Sequence, residues 1–388
     1  MLRRFPLALL ALALAAACTH SATNAGAPLP GASDSPTPAP APVIAAAKAT
    51  GSTVPWSAPL TLTVSNGTLS SVDVPGLTGT VAGDTWTSAT TLVPLRSYVA
   101  TAQVKDLQGK TQTVSQTFVA SKAGHVVKAN ISPGPGSVVG VAQPVIVRFD
   151  QPVKGRANRL AVLKRLTVTT NPVVEGAWRW YNSYEVHYHA EHYWTSGQTI
   201  AVHADLSLLH LGGTTTWGST KSVDSHFTIG KDYESVVDID KHLMNVYLDH
   251  KLIRTIKVST GRDQYPTKGG VHIVLTREKS HTYNSGTVGI PTDGPGGYYE
   301  KLPWSMRISN GGAFVHANPD TVRQQGRRNV SHGCVNTSVT DAEWFYYHSQ
   351  LGDPVNIINA VVKPVLWDAG MADWNYSWAT WKAGNLDG

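Results

Sequence analysis

Alternation of apolar and polar residues with period two constrains the fold of this 388-residue chain more than any other feature. From about residue 48 to 230 the chain is rich in Thr, Val and Ser and shows no sustained helical period. Two triplets each share one face of a predicted strand: Leu60, Leu62 and Val64, and Val145, Val147 and Phe149. Because turn-forming residues interrupt these runs at short intervals, the pattern predicts all-β sandwiches of modest size.

Turn-rich segments divide the chain into domains. Ser121-Lys-Ala-Gly-His125 marks a boundary, and Ile131-Ser-Pro-Gly-Pro-Gly136 opens a second unit. We predict one sandwich over residues 48–124 and another over 125–230, followed by a β-rich domain over 231–360. Residues 361–388 are predicted to form a small subdomain packed on that third domain by three tryptophans, Trp374, Trp378 and Trp381.

The third domain contains the one helix that we predict with a defined start and end. Thr340 and Glu343 have the spacing of a capping box, and Gly352 with Pro354 ends the helix. The residues Val355 to Ile358 then read as a closing strand.

The first 18 residues have the layout of a secretory signal. A basic start precedes an apolar run that is shorter than the ~20 residues of a spanning helix. The small residues before Cys18 resemble a bacterial lipoprotein box, except that Ala15 stands where Leu is usual. The resemblance implies an exported chain with Cys18 lipidated at the outer face of the cytoplasmic membrane; the alternative is ordinary signal cleavage. Residues 19–47 are rich in Pro and Ala, which predicts an extended tether or, alternatively, a disordered terminus.

Composition excludes several classes of function. The net charge of +6 is spread along the chain without a basic stripe, so nucleic acid is not an expected partner. The two cysteines, Cys18 and Cys334, are too few for a disulfide scaffold or a Cys-rich zinc module.

Chemistry-bearing residues concentrate in Ser331-His-Gly-Cys-Val-Asn336, with His316 upstream in a strand-like run. A thiol is a good nucleophile only as a thiolate, so it needs a base or a positive field. The two histidines, with Arg327 and Arg328, are candidates to supply both. Gly333 permits a tight turn that brings N–H groups toward an oxyanion. The alternative is a structural cysteine with scattered histidines.

His316, fourteen intervening residues and then Ser331-His-Gly-Cys-Val-Asn336 resemble the signature of the L,D-transpeptidase catalytic domain, also called the YkuD domain. Four flanking segments are similar to the mycobacterial-type enzymes: Val288-Gly-Ile-Pro291, Gly297-Tyr298, Asp341-Ala-Glu-Trp-Phe345 and Gly352-Asp-Pro354. The tail from Asp373-Trp-Asn375 through Trp381-Lys-Ala-Gly-Asn385 is similar as well. Those relatives place two immunoglobulin-like domains before the catalytic one.

The resemblance implies a cofactor-independent enzyme that cross-links peptidoglycan. Cys334 would attack the carbonyl of the third residue of a tetrapeptide stem, expel D-alanine and form a thioester. The side-chain amine of a diaminopimelate on a second stem would resolve it into a 3→3 cross-link, with His316 as general base. Backbone N–H groups of His332, Gly333 and Cys334 would bind the oxyanion.

The resemblance also assigns the substrate groove and an inhibitor class. His332, Asn336 and Tyr298 would line the groove, and Ser331 would shape the loop. Carbapenems are the implied covalent inhibitors.

Three positions depart from the family pattern. Ala317 replaces the usual Ser after the histidine, which is harmless if only the backbone carbonyl holds the imidazole tautomer. Asp320 replaces a Trp of the groove wall, and the segment Pro266-Thr-Lys-Gly-Gly270 alters a loop.

Two alternative activities stay open at this point. Water instead of an amine would resolve the thioester in an L,D-carboxypeptidase, and a non-catalytic envelope protein would bind the wall through its β-domains. Separately, His187 and His189 have a spacing that fits zinc, but the turn that follows them favours a structural role.

Overall fold

The computed structural model describes residues 39–207, 209–211, 216–366, 368, 370 and 373–387. The predicted signal, the lipidation site Cys18 and most of the predicted tether lie outside these residues. Within them, no helix is long and apolar enough to cross a membrane. Strands dominate, as the sequence predicts, and they form three successive units, each with its own hydrophobic core.

The first unit is a sandwich of two four-stranded sheets, ordered β1-β3-β6-β5 and β2-β8-β7-β4. Its strands are β1 (Val43–Ala46), β2 (Thr53–Val54), β3 (Pro59–Ser65), β4 (Gly67–Asp73), β5 (Gly79–Ala82), β6 (Thr85–Thr91), β7 (Ser97–Asp106) and β8 (Thr111–Ala120). Leu60 and Leu62 are buried on one face of β3, which confirms the predicted alternation. The predicted tether, residues 19–47, extends too far, because Val43–Ala46 form strand β1, which pairs with β3 and buries Ile44. The prolines just before Val43 masked this short strand.

The second unit is a sandwich of sheets β10-β12-β15-β14 and β11-β18-β16-β13, with a two-stranded β17-β9 ribbon. Its strands are β9 (His125–Val127), β10 (Ala129–Ser132), β11 (Val138–Val139), β12 (Val145–Phe149), β13 (Leu166–Asn171), β14 (Gly176–Trp180), β15 (Glu185–Ala190), β16 (Thr199–Ala204), β17 (Thr216–Gly218) and β18 (Val223–Ile229). The alternate residues of β12 are buried, as predicted. Helix α1 (Arg156–Leu163) was not predicted, because Arg and Asn mask its single apolar stripe.

The third unit packs a five-stranded sheet, β21-β20-β19-β27-β22, next to a four-stranded sheet, β23-β24-β25-β26. Its strands are β19 (Tyr233–Asp238), β20 (Leu243–Leu248), β21 (Lys251–Lys257), β22 (Gly270–Ile273), β23 (Thr276–Asn284), β24 (Tyr299–Arg307), β25 (Phe314–Ala317), β26 (Val335–Thr337) and β27 (Pro354–Ile358). β27 is the predicted closing strand. Residues of both sheets form one core, among them Val237, Met306 and Val335.

Helix α2 (Val339–His348) packs against β24 and β25, behind the strands that carry the site. Its predicted cap is wrong by two residues. Ser338 is the N-cap and its Oγ accepts from the N–H of Asp341 at 3.1 Å, so the capping residues are Ser338 and Asp341. A hydroxyl residue and an acidic residue recur at the same spacing in Thr340 and Glu343, which explains the error.

The chain end bridges two domains, whereas we predicted that it packs on the catalytic domain alone. Asn375 accepts from the N–H of Val271 in that domain. From helix α3 (Trp378–Lys382) onward the tail lies on the second sandwich, where the buried Trp381 donates to the carbonyl of Ala177 at 2.9 Å. The last tail residues continue along the same strand, because Asn385 donates to the carbonyl of Trp180.

Candidate active site

Two neighbouring strands bring His316 and Cys334 to one cavity. β25 and β26 run parallel, and His316 is the register partner of Asn336. Cys334 immediately precedes β26, two residues before Asn336. His316 and Cys334 line one cavity of about 330 Å³.

The imidazole of His316 is held in one tautomer. Its ring is buried, with 3% of the residue exposed, and its Nδ1 lies 2.9 Å from the carbonyl oxygen of Ala317. Since a carbonyl only accepts, Nδ1 carries the proton and Nε2 keeps its lone pair. The ring of Tyr283 lies 4.7 Å from the imidazole. Burial lowers the pKa of His316 to about 4, so the ring is neutral at neutral pH.

The thiol of Cys334 is protonated at neutral pH. Burial raises its pKa to about 11, while the N–H of Phe314 and the charge of Arg307 favour the thiolate. The Sγ atom lies 3.7 Å from the carbonyl oxygen of Gly312, to which it donates. The positive charge that favours the thiolate belongs to Arg307, which was not predicted, whereas Arg327, one of the two predicted arginines, lines a different cavity.

Ser331 holds the turn before the nucleophile. Its Oγ donates to the carbonyl of Cys334 at 2.7 Å and accepts from the N–H of Gly333 at 3.0 Å. Gly333 has φ +116°, a conformation that favours glycine. Of the three N–H groups assigned to the oxyanion by the resemblance, that of Gly333 is therefore engaged with Ser331 Oγ.

The structure brings together six residues that the sequence analysis singled out. Tyr298, His316, Ser331, His332, Cys334 and Asn336 all line the same cavity. Sequence reasoning missed Arg262 and Tyr283, which also line it. Both sit outside the signature segment, and neither carried a local signal.

Arg262 fixes the orientation of His332. Its Nη2 lies 2.6 Å from Nε2 of His332, and its Nη1 lies 3.3 Å from Nδ1. Burial and the charge of Arg262 both lower the pKa of His332, so the guanidinium faces a neutral ring. The rings of Tyr265 and Tyr298 lie 4.8 and 4.9 Å from His332. Arg262, Tyr298 and His332 of this cluster line the cavity.

Each position that departs from the family pattern either lines the cavity or bonds to a residue of the site. Ala317 supplies only its carbonyl to His316. Asp320 is exposed and lines the cavity, in the 3₁₀ turn Pro319–Thr321. In the altered segment, Thr267 Oγ1 donates to the carbonyl of Gly333 at 3.0 Å and accepts from the N–H of Gly261.

The histidine pair His187 and His189 lies far along the chain from this cavity, against the tail. His187 is buried, with Nδ1 2.8 Å from Asp373 and Nε2 3.3 Å from Glu185. His189 packs its ring 4.0 Å from that of Trp381. Both rings thus have structural partners on the second sandwich and the tail.

One group of three potential metal ligands occurs among the described residues, Asp232, Glu234 and His250. It borders a separate cavity of about 590 Å³ between the second sandwich and the catalytic domain. His250 lies 3.6 Å from Asp232 and 3.4 Å from Glu234, so its ring pairs with both carboxylates.

Comparison with known proteins decides the family. The chain is 36% identical over 344 residues to L,D-transpeptidase 2 of Mycobacterium tuberculosis, covering 87% of this chain and 82% of the relative. The chain belongs to the L,D-transpeptidase family. The family described as YkuD, L,D-transpeptidase catalytic domain, matches residues 232–357, and the bacterial Ig domain matches residues 51–209, across the two sandwiches.

Other members of the family agree in sequence and fold. L,D-transpeptidase 5 of Mycobacterium tuberculosis is 30% identical, covering 84% of this chain and 72% of the relative. The solved structure of the LD transpeptidase LdtMt1 in complex with imipenem covers 60% of this chain and 99% of its own, with 29% identity and a TM-score of 0.52. L,D-transpeptidase 3 of Mycobacterium tuberculosis, in complex with a faropenem-derived adduct, covers 60% and 98%, with 31% identity and a TM-score of 0.51.

Proposed function

We propose that this L,D-transpeptidase forms 3→3 cross-links in peptidoglycan through a thioester on Cys334. The observation that carries the proposal is the cavity shared by His316 and Cys334, in which the Nδ1–H of His316 is bound to the carbonyl of Ala317. A neutral imidazole with a free Nε2 lone pair is the form that accepts a thiol proton.

In the first half-reaction, the thiol proton of Cys334 passes to Nε2 of His316 as Sγ attacks the carbonyl carbon of the third stem residue. A carbon–sulfur bond forms, and the tetrahedral oxyanion faces the N–H groups of His332 and Cys334. The C–N bond to the terminal D-alanine then breaks, and the imidazolium returns the proton to the leaving amine. The product of this step is a thioester.

In the second half-reaction, the side-chain amine of a diaminopimelate on another stem attacks the thioester carbonyl. His316 takes the proton that the amine loses. The carbon–sulfur bond breaks, the sulfur regains a proton from His316, and an amide links the two stems. No cofactor enters either step.

The high pKa of Cys334 fits this order of events. Burial keeps the thiol protonated until substrate arrives, so proton transfer and attack are coupled. A pre-formed thiolate–imidazolium pair is not expected, because the pKa of the buried His316 is about 4 and its ring is therefore neutral.

Carbapenem-type β-lactams are the proposed covalent inhibitors. Two family members form complexes with imipenem and with a faropenem-derived adduct. Attack of Cys334 on the lactam carbonyl would open the ring and leave a thioester on the enzyme.

The proposed location is the cell envelope, with the chain exported and held by a lipid on Cys18. The signal-like first 18 residues and the Pro-rich segment that follows support this proposal. Metabolic labelling with a lipid precursor tests it, because labelling of wild type and loss of label in Cys18→Ala are expected.

Product analysis with a purified tetrapeptide stem tests the reaction. A transpeptidase releases D-alanine and yields stem dimers, whereas an L,D-carboxypeptidase releases D-alanine and yields only tripeptide. A protein that only binds the wall yields neither product.

A further inference from the structure

A second cleft lies beside the catalytic one, and its lining is basic. This cavity of about 500 Å³ is bordered by Lys257, Arg323 and Arg327, which we call the basic cleft. All three residues are exposed. Arg327 was singled out in the sequence as a helper of the thiol, a role that the structure gives to Arg307 instead.

The three cations of the basic cleft are not neutralised by the part of the chain that the structure describes. None of them takes part in an ion pair there. The acidic residue at the border, Asp341, is held 2.7 Å from Arg254 and 2.7 Å from Ser338 Oγ. The cleft therefore presents positive charge to an anion from outside.

Two of the cations, Arg323 and Arg327, stand on a hydrogen-bonded loop, and Lys257 ends strand β21 beside it. Gln325, between Arg323 and Arg327 in sequence, is buried and donates to the carbonyl of Asn318 at 3.1 Å. The N–H of Gly326 donates to the carbonyl of Val258 at 2.9 Å. A Cβ at Gly326 would lie 3.1 Å from the stem of Lys257, so the two segments pack closely. The backbone that carries these cations is therefore already ordered before an anion binds.

The basic cleft lies next to the catalytic cleft along one loop. Thr321 lines the catalytic cleft and Val322, the next residue, lines the basic one. Consecutive Cα atoms are about 3.8 Å apart, so the two linings adjoin at this point of the loop, and a polymer longer than one stem is the kind of ligand that could contact both. Thr321 accepts from Nδ2 of Asn336, which ties the shared loop to strand β26.

We infer that the basic cleft binds the free carboxylates of neighbouring stem peptides on a polymeric peptidoglycan strand while one stem occupies the catalytic cleft. Guanidinium groups match the planar geometry of carboxylates. This inference rests on the proposed function, because that function makes a polymer with repeated carboxylates the substrate. It predicts that the enzyme prefers strands over isolated stems.

The experiment compares the full chain with two triple variants of equal charge change. The test variant is Lys257→Gln, Arg323→Gln and Arg327→Gln; the control is Lys105→Gln, Lys154→Gln and Lys164→Gln, three exposed lysines on the sandwiches. The ligands are soluble uncross-linked strands with tetrapeptide stems, the same strands with amidated carboxylates, and single stems. Polyglycerol phosphate and anionic lipid vesicles test whether other polyanions bind the basic cleft.

We expect the test variant to bind the strands about tenfold more weakly than wild type, and the control variant to bind them like wild type. Amidation should lower the affinity of the strands for wild type to the affinity that native strands have for the test variant. Equal losses in both variants, or no loss in either, would overturn the inference. So would amidated strands, polyglycerol phosphate or vesicles that bind wild type as tightly as native strands do.

Acylation by single stems separates this inference from the proposed function. Acyl-enzyme should form at equal rates in wild type and both variants, because the three cations lie outside the catalytic cleft. If no protein forms acyl-enzyme, the proposed function fails, and the strand-binding result is judged on its own.

Discussion

The Nδ1–H group of His316 donates a hydrogen bond to the main-chain carbonyl oxygen of Ala317, with 2.9 Å between nitrogen and oxygen. This bond fixes the imidazole tautomer through the backbone alone, so no hydroxyl is needed at position 317. Nε2 is left as the only basic atom of a buried, neutral ring. The proton transfers of the proposed reaction all pass through that atom.

Replacing the base should slow acylation sharply. In His316→Ala the thiol of Cys334 loses its proton acceptor, and we expect the rate of acylation by a carbapenem to fall about 10²- to 10⁴-fold. Stopped-flow fluorescence measures this rate. Ala317→Ser is the matched control, because it keeps the carbonyl that holds His316, and its rate should stay near that of wild type. Equal losses in both variants would contradict the assigned tautomer.

The state of the thiol should be visible in a pH titration. The pKa of Cys334 is raised to about 11 by burial, so thiolate absorbance, taken as wild type minus Cys334→Ser, should appear only as pH rises toward 11. The pKa of His316 is lowered to about 4, so the neutral base is present above that value and is lost as pH falls through it. Acylation should therefore persist well below neutral pH. A thiolate midpoint below neutral pH would indicate a pre-formed ion pair instead.

The turn before the nucleophile should depend on the hydroxyl of Ser331. Ser331→Ala removes both its bond to the carbonyl of Cys334 and its bond from the N–H of Gly333. Two half-buried polar groups lose partners, and each lost hydrogen bond costs about 0.5–1.5 kcal/mol. We expect slower acylation and a less stable protein, measured by stopped-flow and chemical denaturation. Unchanged acylation would show that the turn holds without Ser331.

A buried charge cluster should make tail docking depend on pH. Burial alone would lower the pKa of His187, but Asp373 and Glu185 raise it to about 9. Because this pKa lies above its ordinary value of 6.5, the stabilisation is fully present below pH 6.5 and is lost as pH rises through about 9. Asp373→Asn should lower the free energy of unfolding by about 1–3 kcal/mol below pH 6.5, and by less above pH 9.

The exposed pair of Arg156 and Asp387 supplies the control for that prediction. Asp387 is 75% exposed, so Asp387→Asn should change the free energy of unfolding little at either pH. An equal effect of the two substitutions would contradict a special role for His187.

The features that depend on local sequence patterns were predicted correctly. Alternation along β3 and β12 predicted their buried faces, because period two follows from strand geometry. The spacing of His316 and the Ser331–Asn336 segment pointed to the residues that the structure brings into one cavity. The short elements β1 and α1 were not predicted, because a few apolar residues beside Pro or Arg give no clear hydrophobic period.

Contacts between distant segments were not readable from local patterns. Arg262 reaches His332 across 70 positions, and the tail crosses onto the second sandwich through Trp381 and Ala177. Arg307, and not Arg327, acts on Cys334, because strand order rather than closeness in sequence decides which charge faces the thiol.

Intact-protein mass spectrometry after exposure to a carbapenem tests the central claim most directly. The claim is that Cys334 is an acylated nucleophile. Wild type should gain the mass of one carbapenem molecule, with the adduct on the peptide that contains Cys334, and Cys334→Ala should gain none. No adduct on wild type, or an equal adduct on Cys334→Ala, would contradict the account.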